Sequence, residues 1–541
     1  MSRPRPMLLS RRLRSLLATA IGQVGEGVLA FLCVPIFVAW LGKESWGLVA
    51  LLPVVSGLLA VAGFPLATAV NRELSRLATA GSPGAESRRV LRVVEALFLL
   101  VAAAGAAAIW IAAPWIVRHW LSVVDLSDET CIVGIRVIGI AAAVLLVRSA
   151  HLGALYGLQR IATANALTLG TALAVSAAGL LAAGPWRSQD PGRTVVWFLG
   201  AQCVLQAVGA VVVAVVAWRS MPAGGALSRD GEASPERGAL ASADAPSASG
   251  PSSAAIAATW RRLWPFIRGT IVVAAAGGVL SQLDRLVVSR LLPLDEFGRY
   301  SIAAMLAGGV ALLVRAVNMA SFPDLSRAFA GSDAALHALA LRRWTRAAGL
   351  VAIPAAATMA AVPRESLTTW LGAARVDQGM SAVLAALAVG WGFNGLAAPA
   401  FSAALAAGWT RFAAIQNMVA LALMPLVMVV LVPRLGPLGA ALAWTALNIV
   451  YVLWSIPALF FPRLLPGEAR RWLGGAVLPP LIGAGGGAAL TALALPEASG
   501  RLECAAVTAA VACAALTGAA LGLKFAARPD RGGGAASAGA D

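Results

Sequence analysis

The sequence predicts an all-α, polytopic membrane protein of about fourteen transmembrane helices, with two six-helix halves in parallel pseudo-two-fold repeat plus two C-terminal helices. Composition, the spacing of the apolar runs and an internal echo at one fixed shift support this reading. Hydrophobic residues make up 59% of the 541 and charged residues 12%, with mean hydropathy +0.81. Soluble domains carry about 25% charge. The apolar residues gather in runs of about 20 to 28, and each run can cross a hydrocarbon core of about 30 Å at about 1.5 Å per residue. The first run is too long for a cleaved signal peptide and continues into a second.

Net charge is +17. In a soluble chain this would suggest nucleic acid. Here the arginines cluster at alternate ends of the runs: Arg11, Arg12 and Arg14, then Arg72, Arg76, Arg88 and Arg89, then Arg219, Arg261 and Arg262, then Arg327, Arg342 and Arg343, then Arg463, Arg470 and Arg471. The positive-inside rule then places both termini and the long middle loop in the cytoplasm. The basicity reads as topology, so the lipid bilayer is the expected partner and no nucleic acid is.

The spans follow in order. Leu13–Leu41, Trp46–Val70, Val93–Val117, Cys131–Ala154, Ile161–Ala183 and Thr194–Trp218 form the first half, residues 1–219. Residues 220–259, rich in Ala, Ser, Gly and Pro, read as a flexible cytoplasmic linker. The second half, 260–463, holds Trp264–Leu292, Phe297–Phe322, Thr345–Val362, Ser381–Ala404, Phe412–Val432 and Leu438–Phe461. Trp472–Leu495 and Ala505–Phe525 make the additional pair within 464–527, and 528–541 reads as a disordered tail. Short amphipathic pieces are expected beside Pro114 and Pro363.

The echo confirms the halves. A shift of 251 positions carries Gly47 onto Gly298, Glu44 onto Asp295 and Trp46 onto Phe297. The same shift carries Glu73-Leu74-Ser75-Arg76 onto Asp324-Leu325-Ser326-Arg327. Apolar composition produces chance Ala and Leu matches but does not align two acidic hinges and two "LSR" exits. Six spans per half make the copies parallel, and such halves usually enclose a substrate path.

The stretch "QLDRLVVSRLLPLDEFGRYSIAAML" followed by "FPDLSRAFAG", its N-terminal copy ending "NRELSRL", and "LVPRLGPLGAALAWTALNIVYV" resemble the polysaccharide-unit (O-antigen type) flippases of the MATE-like multidrug/oligosaccharidyl-lipid/polysaccharide (MOP) exporter superfamily. The resemblance runs from Leu13 to about Phe525, and its motifs are descriptive, not catalytic. It implies transfer of undecaprenyl-diphosphate-linked oligosaccharide across the bacterial plasma membrane, by alternating access, for O-antigen, capsule or exopolysaccharide. Polysaccharide polymerase machinery is then the expected downstream partner. The long linker and sparse aromatic content depart from the family pattern and leave the glycan open.

Such a cargo needs a polar, cationic path and no covalent chemistry, so neither a catalytic residue nor a cofactor is expected. The two lysines, Lys43 and Lys524, form no P-loop. Ionisable residues inside spans are functional candidates by default. The candidates for substrate binding are Gln23 and Glu26 on the first span, Gln282, Asp284 and Arg285 on the seventh, and Arg315 and Asn318 on the eighth. Gln282 and Arg285 share a face at i, i+3, and Asp284 points elsewhere. Arg136 and Arg148 lie close enough to the ends of the fourth span to be expected to snorkel. Asn165, Gln416 and Asn448 read as interhelical glue, and His119, His151 and His337, near the membrane boundaries, receive no role. The competing readings are a cation-coupled multidrug exporter, which needs an acidic cavity, a lipid II flippase, and a membrane-bound glycosyltransferase or polymerase, which needs large outer loops.

Overall fold

The computed structural model describes residues 25–79, 84–184, 188–221, 260–261, 264 and 275–526. Gln23, most of the 220–259 linker and the 528–541 tail lie outside the described residues. The chain divides into two compact units. One comprises Met1–Leu29, Leu51–Trp115 and Glu129–Val279, the other Ala30–Ala50, Ile116–Asp128 and Leu280–Asp541.

The regular structure among the described residues is helical apart from one isolated bridge, Ser122 with Pro293. Helix α1 covers Gly25–Leu41, α2 Lys43–Thr79, α3 Gly84–Trp115 with a π turn Ile116–Trp120, α4 Asp128–Gly157, α5 Ile161–Ala183 and α6 Pro191–Arg219. Then come α7 Leu283–Leu291, α8 Leu294–Ala330, α9 Ala334–Ala361, α10 Pro363–Leu371, α11 Gln378–Ala406 and α12 Thr410–Leu435. Helix α13 runs Pro437–Leu464 and α14 Ala469–Ala494, each containing a π segment, and α15 Arg501–Ala526 ends the described chain. Among the described residues, eleven helices are long and apolar enough to cross a membrane, and twelve if the bent pair α9 and α10 is one span. The protein is a multi-pass membrane protein.

Several helices outrun their apolar runs. The expected eighth span, Phe297–Phe322, is part of the 37-residue α8, and the ninth, Thr345–Val362, belongs to α9, which starts at Ala334. The polar "LSR" exits stay helical because i, i+3 ion pairs support them: Glu73 with Arg76 on α2, and their repeat equivalents Asp324 and Arg327 on α8. Asp333 caps α9, accepting the N–H groups of Ala335 and Leu336 at 2.9 and 3.2 Å. Pro363 starts α10 at 93° to α9, at a first helical position where its missing N–H costs nothing.

Two close approaches fix the second unit. The additional pair α14 and α15 meets along a glycine seam, where a Cβ on Gly483 would lie 2.0 Å from the Gly518 carbonyl and one on Gly522 2.3 Å from that of Pro479. Small residues four apart let the two backbones touch. Pro35, which has no N–H, leaves the carbonyl of Phe31 on α1 without its helical donor. The indole N–H of Trp370, on α10, fills that place at 2.9 Å and stacks on the Phe31 ring at 4.7 Å.

Candidate functional site

In the second unit the two acidic hinges of the repeat interlock. A Cβ on Gly47 would stand 2.2 Å from the carbonyl oxygen of Leu294, and one on Gly298 2.1 Å from that of Lys43. The 251-residue shift carries Lys43 onto Leu294 and Gly47 onto Gly298. The contact is therefore isologous: each copy offers the same glycine to the same carbonyl of the other. Ionic contacts surround it. Lys43 Nζ lies 3.0 Å from Asp377 Oδ2, and Arg299 bridges Asp377 and Asp295 at 3.5 and 3.1 Å. Burial pushes the Asp377 carboxyl up, but the Met380 N–H, Lys43 and Arg299 outweigh it and hold it below its ordinary value.

Glu44, 5% exposed, receives three consecutive backbone N–H groups, those of Val124, Asp125 and Leu126, at 2.6, 2.7 and 3.0 Å. Such a run of donors is an anion-binding concavity, and here the chain fills it with its own carboxylate. Its repeat equivalent, Asp295, pairs with Arg299 instead.

Among the sequence candidates in this unit, Gln282 and Arg285 share a face, and Arg285 Nη1 donates to Gln282 Oε1 at 3.3 Å. Asp284 turns the other way and accepts the hydroxyl of the fully buried Tyr300 at 2.6 Å. Arg315, on α8, is exposed and has no ion-pair partner among the described residues. Asn318, one turn on, keeps a buried Oδ1 without a hydrogen bond there. An apolar cavity of about 320 Å³ opens between α9, α11 and α14, lined by Ile353, Ala357, Phe393 and Leu481 among others.

The first unit corrects one sequence expectation. Arg148 does not snorkel. It is 8% exposed, buried between α1 and α6, with Nη2 3.8 Å from Glu26 Oε1 and Nη1 3.5 Å from Gln206 Oε1. Glu26 itself is half exposed. Tyr156, within the field of both charges, donates to Asn165 Oδ1 at 3.3 Å, and the Asn165 amide nitrogen is buried without a partner. His151, given no role from sequence, is 1% exposed and lies between the Val147 carbonyl at 3.1 Å and Glu95 at 3.2 Å, and Glu95 also accepts the Trp218 indole N–H. Arg136 rests over Trp110, 4.7 Å from its ring centre. A cavity of about 550 Å³ between α2 and α4 is walled by apolar residues such as Leu52, Phe64 and Leu146, with Ser56 and Ser149 as polar points.

No protein-family model and no curated protein matches the sequence. Solved structures match its fold. The chain is similar to the lipid II flippase MurJ in an inward closed conformation, with TM-score 0.66 and 13% identity over 95% of this chain and 100% of that one. It is also similar to an inward-facing multidrug resistance MATE family transporter of the MOP superfamily, with TM-score 0.61, 14% identity, 82% of this chain and 96% of that one. A MOP superfamily transporter from Pyrococcus furiosus, described as having a binding pocket of reverse polarity, matches with TM-score 0.53 and 14% identity over 85% of this chain and 96% of that one. The fold is that of MOP-superfamily membrane transporters.

Proposed function

We propose that the chain is a flippase that carries undecaprenyl-diphosphate-linked oligosaccharide units across the bacterial plasma membrane for surface polysaccharide assembly. The observation that carries this reading is the cationic character of its intramembrane polar residues. Arg148 is buried in α4, Arg285 faces its own glutamine, and Arg315 has no acid beside it among the described residues. A buried guanidinium is costly unless an anion meets it closely, and Glu26 stands 3.8 Å from Arg148. A sugar diphosphate supplies a closer-fitting anion. The flippase match also covers 95% of this chain, against 82% and 85% for the other two transporters. A cation-coupled drug exporter would want unpaired intramembrane acids, but Asp284 is held by Tyr300 and Glu26 faces Arg148.

A lipid II flippase is the second reading, favoured by the similarity to MurJ. It shares the isoprenyl diphosphate chemistry and differs in the sugar. In either case the protein moves its cargo without breaking a bond.

Replacing Arg285 or Arg315 with Ala is expected to reduce surface glycan at least about tenfold, the scale of a lost charged hydrogen bond, with the protein still inserted. Lys should restore part of the activity, keeping the charge but losing the planar fork. Wild-type glycan levels in both Ala variants would remove the arginines from the path. The arginine bias further supports a cytoplasmic location of both termini and the linker. A reporter fused within residues 220–259 should therefore read cytoplasmic and one at Asp295 external; the same side for both would contradict the parallel repeat.

A further inference from the structure

The loosely held guanidinium in the first unit points to a ligand. Arg148 carries five N–H donors in a rigid fork. Its side chain is 9% exposed, yet among the described residues it has only Glu26 at 3.8 Å and Gln206 at 3.5 Å. Both contacts lie at the outer edge of hydrogen bonding, whereas charge-assisted pairs close to about 2.7–2.9 Å. A buried ion pair repays its desolvation only with excellent geometry. Elsewhere the same protein achieves such geometry, with Arg471 2.8 Å from Glu468 and Lys43 3.0 Å from Asp377. Asn165, 2% exposed, adds a second unspent donor in its buried, unpartnered amide nitrogen. Tyr156, which donates to Asn165 Oδ1 at 3.3 Å, lies within the field of the charged pair. Among the described residues the cluster is rich in donors and short of acceptors, and its one carboxylate there, Glu26, is 49% exposed.

We propose that Arg148 is the centre of a phosphate-oxyanion site in the first unit, and that Glu26 is an internal carboxylate standing in for the ligand. An incoming phosphate displaces Glu26, takes both guanidinium N–H groups in a bidentate contact and reaches the Asn165 amide. Glu26 turns outward to water or polar headgroups. No bond forms or breaks. The site deepens the flippase reading by naming where the first unit grips the diphosphate, and it rests on that reading only for the source of the phosphate.

The test uses the purified full chain in detergent micelles, titrated calorimetrically with inorganic pyrophosphate and, separately, with geranylgeranyl diphosphate. Glu26→Gln removes the competing charge and should tighten binding of at least one probe by about tenfold or more. Adding Arg148→Gln to Glu26→Gln should abolish the gain, and Arg148→Lys should keep part of it. Unchanged thermal midpoints without ligand would establish that the variants are folded. A preference for the prenylated probe assigns the site to a lipid headgroup, and equal affinities assign it to free phosphate. Binding of both probes unaltered by Glu26→Gln, or unaltered by Arg148→Gln in that background, overturns the site. Flipping of lipid-linked sugar is scored independently. Its absence alongside Arg148-dependent pyrophosphate binding would fail the transport reading and leave the site standing.

Discussion

Replacing Gly298 with Val is expected to unfold the hinge and lower the thermal midpoint of the purified protein more than any other single change at the repeat junction. The new Cβ would meet the Lys43 carbonyl at 2.1 Å, and that atom is backbone, which cannot rotate away. Helix α8 must back off from the first turn of α2. Overpacking of this kind costs about 1–3 kcal/mol and sometimes more. The displacement also pulls Lys43 and Arg299 off Asp377. Gly308 lies on the same helix with nothing within 4 Å of its would-be Cβ, so Gly308→Val is the matched control. The midpoint, read by fluorescence-detected size exclusion after heating, should fall much further for Gly298→Val than for Gly308→Val. Equal midpoints would mean the interlock bears no weight. Gly47→Ala should behave like Gly298→Ala, and the two should not add, because they loosen one shared contact.

Glu44→Gln should have the second largest effect. One carboxylate now accepts three backbone N–H groups. An amide keeps one acceptor oxygen and turns an NH₂ toward N–H donors. Hydrogen bonds to charged groups contribute about 1.5–3 kcal/mol, and this change removes at least one and sets a donor against a donor. The segment from Leu121 to Ser127 should loosen. Hydrogen exchange at Val124, Asp125 and Leu126 should rise by about tenfold or more, the rate equivalent of that energy. Exchange unchanged from wild type would show that the loop is held by other contacts. Asp295→Asn, at the repeat-equivalent position, should leave this loop's exchange unaltered, because Asp295 faces Arg299 instead.

How much of this was legible in the sequence depends on the kind of contact. Helices spanning a bilayer show as apolar runs because no water is present to satisfy an exposed backbone. The repeat shows because both hinges kept the same glycine, and the interlock of Gly47 with Leu294 and Gly298 with Lys43 gives the physical reason. The i, i+3 face of Gln282 and Arg285 is local and was readable. Helix ends were less so: α8 and α9 continue past their apolar runs into polar turns held by ion pairs and caps, which hydropathy does not weigh. The burial of Arg148 was not readable at all. Its distance from the helix end suits snorkelling, and only the packing of α1 and α6 around α4 decides otherwise. His151 was hidden for the same reason, since its partner Glu95 is 56 positions away on α3. A pattern within one helix says which residues share a face, not which neighbour that face meets. An arginine and a glutamate in separate spans, with few other charges to pair with, were the only signal available.

The most direct measurement of the central claim is lipid flipping by the purified protein in proteoliposomes. A fluorescent undecaprenyl-diphosphate-linked oligosaccharide is placed in the leaflet matching the cytoplasmic side, and its arrival in the other leaflet is followed with a membrane-impermeant quencher. The account predicts faster arrival than in protein-free vesicles, slowed by Arg285→Ala and Arg315→Ala. An arrival rate equal to that of protein-free vesicles, together with uptake of a cationic drug driven by a proton or sodium gradient, would contradict it.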